Sequence, residues 1–136
     1  MKKQSFGPRN VALILAVSGM LGGSAMALEA GDAAAGAKVF AKCRACHSAV
    51  AAEGNKIGPN LHGVIGRHAG AVEGFNYSDA MKTAGENGIV WDEATIAKYL
   101  HDPKGFVPKN KMAFVGLKKD SEIANVIAYL KEEGAK

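Results

Sequence analysis

Hydrophobic residues recur at helical spacing in four stretches of this chain, and each stretch has a capping residue in front of it. Behind Asp32, Gly36, Val39, Phe40 and Cys43 fall on one helical face. Ser78 stands before a short segment, Asp79 to Thr83, that stops near Gly85. Asp92 precedes a third segment, Glu93 to His101, with an apolar stripe of Ile96, Tyr99 and Leu100; Asp102 and Pro103 end it. Asp120 caps the fourth, which runs through Lys131. There Ile123, Val126, Ile127 and Leu130 repeat at i, i+3, i+4 and i+7, and Gly134 lies just beyond. No run of alternating β-branched residues suggests a sheet, so the pattern predicts an all-α fold. Residues 48–77 and 103–118 carry little helical periodicity. A compact domain seldom holds that much irregular chain unless the loops have work to do. The expectation is that they enclose something.

The pattern changes at the N-terminus. Lys2, Lys3 and Arg9 form a basic head, an apolar run begins at Val11, and Ala25-Met26-Ala27 is a small-x-small cleavage signal. Residues 1–27 therefore read as a secretory signal peptide, and residues 28–136 as one small domain. The stretch from Val11 to Ala27 is broken by Gly19, Gly22 and Gly23 and is short for a membrane span. An uncleaved leader acting as an anchor is the alternative. Export implies the periplasm of a Gram-negative-type bacterium. The leader holds three of the chain's 17 basic residues and none of its 13 acidic ones, so 14 and 13 remain after cleavage. Near-neutral charge gives no support for nucleic-acid binding. A domain this small often gains stability from a metal or a cofactor.

Both cysteines and one of four histidines stand together in KCRACHSAV, as Cys43, Cys46 and His47. Cys-x-x-Cys-His is the attachment pattern of c-type haem. A spacing of three puts both thiols on one side of a turn, where they reach the two vinyl groups of one haem edge, and the next residue offers an imidazole to the iron. Three rivals use some of these residues. A redox dithiol expects alternating strands and helices. A zinc site needs two more ligands from His62, His68 or His101. In an exported protein a plain disulfide is also open, but it leaves His47 without a task.

A six-coordinate haem needs a second axial ligand, and methionine or histidine is usual in electron carriers. Two methionines follow the leader. Met81 falls in the Ser78-capped segment, where apolar packing explains it. Met112 lies outside any helical stripe, in VPKNKMAFVG, between Pro108 and Gly116. Met112 is the candidate, with His62, His68 and His101 as alternatives. Thioether ligation raises the reduction potential and closes the sixth position, which argues for a carrier rather than a catalyst.

Several further blocks stand in a recognisable order: GDAAAGAKVF, CRACH, GPNLHGVIGR, GFNYSDA, GIVWDEATIAKYLHDPKGFVPKNKMAF and IANVIAYLK. Together they resemble a class I c-type cytochrome of the mitochondrial and cytochrome c2 type, over nearly the whole chain after the leader, from Gly31 to Lys131. The resemblance implies a small cytochrome c fold, four to five helices and long loops wrapped around one haem c held covalently through Cys43 and Cys46. It implies His47 and Met112 as iron ligands, with the Pro59 carbonyl on the second nitrogen of His47. Arg67, Tyr77 and Trp91 match positions that hydrogen-bond the propionate region, and Tyr99 the residue whose hydroxyl lies near the methionine sulfur. Asn110 stands where the mitochondrial pattern has a threonine, and its carboxamide is expected to donate to a propionate in its place. Lys109 replaces a usual small residue. Gly36 and Tyr129, with Phe40 and Val126, match the crossing of the first and last helices, and Phe114 the aromatic beside the exposed haem edge.

The implied function is that of a soluble, monomeric one-electron carrier, not an enzyme. Its partners would be membrane redox complexes with acidic docking faces: a cytochrome bc complex, a terminal oxidase or a photosynthetic reaction centre, in respiration or photosynthesis. The membrane is met only through those complexes unless the leader is retained. Lys42, Lys104, Lys109, Lys111 and Lys118 form the expected docking face. Two other classes stay open: a haem subunit or tethered cytochrome serving a dehydrogenase or oxidase, and a peroxidase-like haem enzyme.

Overall fold

A computed structural model describes residues 30–136; the leader, residues 1–27, lies outside the described residues. Among the described residues there are five helices: α1 (Ala33–Phe40), α2 (Asp79–Glu86), α3 (Glu93–His101), α4 (Pro103–Phe106) and α5 (Asp120–Gly134). They form no strand; an isolated antiparallel bridge joins His68 to Val90. None of these helices is long and apolar enough to cross a membrane.

The first and last helices pack against each other at close range. Ile123, Val126, Ile127 and Leu130 of α5 are buried, as are Val39 and Phe40 of α1. The approach depends on glycine: a Cβ on Gly36 would fall 1.9 Å from the carbonyl oxygen of Asn125. Asn125 also binds the start of α1, its Oδ1 accepting from the backbone N–H of Asp32 at 2.7 Å. The rings of Phe40 and Tyr129 meet at 5.1 Å. Helix α3 then packs on α5 and on α4.

Asp32 and Asp92 cap α1 and α3, each accepting a backbone N–H of the first turn. Three other boundaries differ from the sequence reading. Helix α2 passes Gly85 and ends at Glu86. Gly85 serves close packing instead, since a Cβ there would lie 2.0 Å from the carbonyl oxygen of Ala69; the reversal falls at Gly88, with φ +88°. Helix α5 has Lys119 at its N-cap without a side-chain bond, so Asp120 is no cap. Asp120 lies in the first turn beside Glu122, where negative charge favours the helix dipole. Helix α5 also continues past Lys131 to Gly134.

Helix α4 lies inside a stretch expected to be irregular. Asp102 does end α3, but its side chain accepts from the N–H of Gly105 and opens the next helix, with Pro103 in the first turn. Pro103 is buried, so α4 anchors the loop that carries Met112.

Candidate functional site

The chain keeps winding beyond α1. The N–H groups of Cys43 and Arg44 donate to Phe40 at 2.8 and 3.0 Å, and those of Cys46 and His47 donate to Cys43 at 3.0 and 2.9 Å. This continuous turn presents two half-buried thiols three residues apart, and both are unpaired. Burial pushes the Cys43 thiol up, against the pull of the Lys42 charge.

His47 is held on two sides. Its Nδ1 lies 2.7 Å from the carbonyl oxygen of Pro59. A carbonyl only accepts, so Nδ1 carries the proton and Nε2 keeps its lone pair. The ring rests on Gly58, where a Cβ would fall 2.3 Å from Cε1. Gly58 is itself tied in place, its N–H donating to Cys46 at 2.7 Å. Burial lowers the His47 pKa; the Pro59 bond opposes this and the Lys56 charge adds to it. The outcome is an oriented neutral imidazole with one free nitrogen, the form a metal binds.

Met112 sits half-buried in the loop after α4. The hydroxyl of Tyr99 lies 3.9 Å from its sulfur. Tyr99 packs against Trp91 at 4.9 Å and Phe106 at 6.2 Å between ring centroids, and burial pushes its phenol up to about 12. Asn110 is buried, and both of its amide hydrogens are spent on the carbonyls of Pro103 and Val107, at 2.8 Å each. Its Oδ1 accepts from the Met112 N–H at 2.9 Å. The Asn110 amide is thus bonded within its own segment of chain.

Arg67 has both Trp91 and Tyr77 as neighbours. Arg67 and Trp91 are joined through their backbones, the Trp91 N–H donating to Arg67 at 2.8 Å and the Gly66 N–H to Trp91 at 2.9 Å. The guanidinium donates to the carbonyls of His62 and Asn60, at 3.1 and 3.0 Å. Two of its five N–H groups are thereby occupied and three remain. Tyr77 accepts from the Val72 N–H at 3.2 Å, which leaves its own O–H to donate. Burial lowers the Arg67 pKa and raises that of Tyr77, while each partly offsets the other.

Asn60 and Gly58 are site residues that periodicity could not single out. The Asn60 amide donates to the carbonyls of Val50 and Glu53, and its Oδ1 accepts from the His62 N–H at 2.7 Å. It braces the loop on which Pro59 is carried. The available signal was a polar residue directly after Gly58-Pro59, in a loop with no helical pattern.

The zinc alternative for the cysteines finds no matching geometry. Among the described residues, no three His, Cys, Asp or Glu side chains are grouped to hold a metal ion. What the chain offers is two free thiols, one oriented imidazole and one thioether, with Leu61, Ile65, Tyr77, Ile89, Tyr99, Leu100 and Phe114 half-buried along the core. That donor set and the half-buried apolar residues fit a covalently attached haem.

The expected docking lysines are mostly engaged. Lys42 pairs with Glu122 at 2.9 Å, Lys111 donates to Asn76 at 3.1 Å, and Lys118 donates to His101 at 3.0 Å. Lys104 donates to the carbonyl of Asn110. Lys109 is exposed, with a left-handed φ of +66°.

Comparison with known proteins converges on one family. The family model described as Cytochrome c matches residues 33–133. A cytochrome c of Stellaria longipes is 49% identical over 108 residues, covering 79% of this chain and 97% of the relative. A cytochrome c2 of Afifella marina is 50% identical over 98 residues, covering 72% and 79%. Among solved structures, cytochrome cH from Methylobacterium extorquens superposes with a TM-score of 0.69 at 46% identity, covering 75% of this chain and 99% of that one. The chain belongs to the cytochrome c family, an electron carrier rather than an enzyme, with one haem c held covalently through Cys43 and Cys46.

Proposed function

We propose that this carrier ligates its haem iron with His47 and Met112, and shuttles single electrons between membrane redox complexes in the periplasm. The observation that carries the reading is the 2.7 Å contact of His47 Nδ1 with Pro59, which frees Nε2 on the residue that follows Cys46. When bound, the haem iron takes up and returns one electron. The chain's part is to keep its surroundings fixed. Pro59 and Gly58 hold the imidazole, Tyr99 lies against the thioether, and Trp91 excludes water beside Tyr99. Fixed ligands mean little atomic rearrangement for each electron, and burial disfavours the extra positive charge of the oxidised site.

Residues 1–27 serve in this reading as a leader that exports the chain to the periplasm and is cleaved after Ala27. Partners are a cytochrome bc complex on the donor side and a terminal oxidase or photosynthetic reaction centre on the acceptor side. Ile57, 79% exposed, stands next to Lys56, and Val115, 83% exposed, stands three residues from Lys118. Apolar side chains among lysines suit a small, transient contact with an acidic face. Visible spectra of the purified ferric and ferrous protein test the proposal. A low-spin spectrum with the weak red band of an iron–thioether bond supports it. A high-spin spectrum that takes up cyanide within the mixing time overturns it.

A further inference from the structure

The segment that carries Met112 has almost no regular structure of its own. Helix α4 ends at Phe106, and no further helix begins until Asp120. Within this span Lys109 adopts φ +66°, a left-handed conformation that disfavours a residue with a side chain. An irregular, strained loop needs something to hold it shut. Several of the loop's hydrogen bonds meet on one residue.

That residue is Asn110, 4% exposed. Its amide nitrogen donates to the carbonyls of Pro103 and Val107, both at 2.8 Å, which ties it to the two ends of α4. Its Oδ1 accepts from the N–H of Met112 at 2.9 Å, which fixes the backbone of the methionine itself. Lys104, also on α4, donates to the main-chain carbonyl of Asn110, and its Nζ lies 3.5 Å from Oδ1. Both amide hydrogens and the side-chain oxygen are therefore used. A threonine hydroxyl has a single hydrogen to donate and could not span the same three groups.

We infer that Asn110 is the positioning residue for Met112, a buried clasp between α4 and the methionine's backbone that sets how often the thioether leaves its place. The inference rests on the reading of Met112 as an iron ligand. Breaking the clasp leaves buried polar groups without partners, and such groups are costly. In the closed loop that cost is paid continuously; when the loop opens, water satisfies them. Removing the clasp thus favours opening without changing the ligand.

The test uses the haem-loaded protein and the rate at which added imidazole enters the iron's sixth position, which follows loop opening. Wild type should show the iron–thioether band and slow imidazole uptake, and Met112→Ala should lack the band and take up imidazole at once. Asn110→Ala should keep the band at neutral pH and take up imidazole roughly ten- to a hundred-fold faster, the range expected for a buried hydrogen-bonding group left without partners. Asn110→Thr should fall between the two. Val126→Ala, in the core between α1 and α5, should lower the melting temperature with little change in uptake, which separates positioning from general loosening. If Asn110→Ala does not mature, Asn110→Thr and Lys104→Met carry the test, each with faster uptake than wild type. Uptake within two-fold of wild type in the Asn110 variants, with the band present, overturns the inference while leaving the ligation reading intact. Absence of the band from wild type overturns both.

Discussion

The hydroxyl of Tyr99 lies 3.9 Å from the sulfur of Met112, while its ring is held between Trp91 and Phe106. The phenol is thus fixed by aromatic packing and its oxygen is aimed at the thioether. Burial alone lifts its pKa to about 12, so it remains a proton donor at any physiological pH. An O–H shared with the sulfur draws on the lone pairs the sulfur would offer to iron. Tyr99→Phe should make the thioether a stronger donor, stabilise the oxidised state and lower the reduction potential. The effect should be on the order of 1 kcal/mol, or roughly 40 mV, measured by redox titration. A raised potential contradicts this role.

The same residue sets a limit in base. A phenol shifted from 10.0 to about 12 binds its proton more tightly in the folded protein than in the unfolded one. The stability this provides is complete below pH 10 and is lost as pH rises through about 12. The loss should amount to roughly 2–3 kcal/mol and should disappear from the difference between wild type and Tyr99→Phe. Denaturant melts of both proteins across that interval measure it; parallel curves would count against a buried phenol.

Gly58 leaves no room beside His47. A methyl group there would lie 2.3 Å from Cε1, so Gly58→Ala must push the imidazole or lift the loop away from Pro59. Overpacking of this kind costs about 1–3 kcal/mol. The expected result is a poor yield of haem-loaded protein and a lower melting temperature in the fraction that matures. Normal yield and melting would show that the ring has slack.

Lys109 is the described non-glycine residue with positive φ, and glycine adopts that conformation freely. Lys109→Gly should raise stability by roughly 0.5–1 kcal/mol after allowing for the added freedom of the unfolded chain. Thermal melts of the holoprotein measure the change. Destabilisation by a similar amount would mean that the lysine side chain holds the loop.

Docking should depend on salt, and unequally on the lysines. Electron transfer to an acidic redox partner should slow by about ten-fold or more between roughly 10 and 150 mM salt, as screening shortens the reach of surface charge. Lys109→Gln should slow it at low salt. Lys42→Gln should have a smaller effect, because Lys42 is already paired with Glu122 at 2.9 Å. Stopped-flow kinetics with either variant decide the matter; a flat salt profile contradicts electrostatic docking.

Where the fold was legible, a local signal agreed with the packing. Asp32 and Asp92 cap α1 and α3, where a short acidic side chain precedes apolar periodicity and its oxygen reaches a first-turn N–H; Asp120 has the same sequence signal but lies inside the first turn of α5. Helix α4 was hidden because Asp102-Pro103 reads equally as an end and as a beginning, and only the bond to Gly105 decides. Gly85 does stand near the end of α2, one residue before the last, but its lack of a side chain also answers the nearby Ala69 carbonyl, which no local pattern encodes. The cysteine pair and His47 carry their chemistry in their spacing and were plain. Asn110 was not, because its partners are loop carbonyls whose positions no periodicity encodes.

Near-infrared magnetic circular dichroism of the ferric protein reports the axial pair of a low-spin haem, and so decides whether His47 and Met112 both hold the iron. The signature of one imidazole and one thioether should appear, and should be lost in Met112→Ala. A signature of two imidazoles in wild type would contradict this pairing and turn attention to His62, His68 and His101.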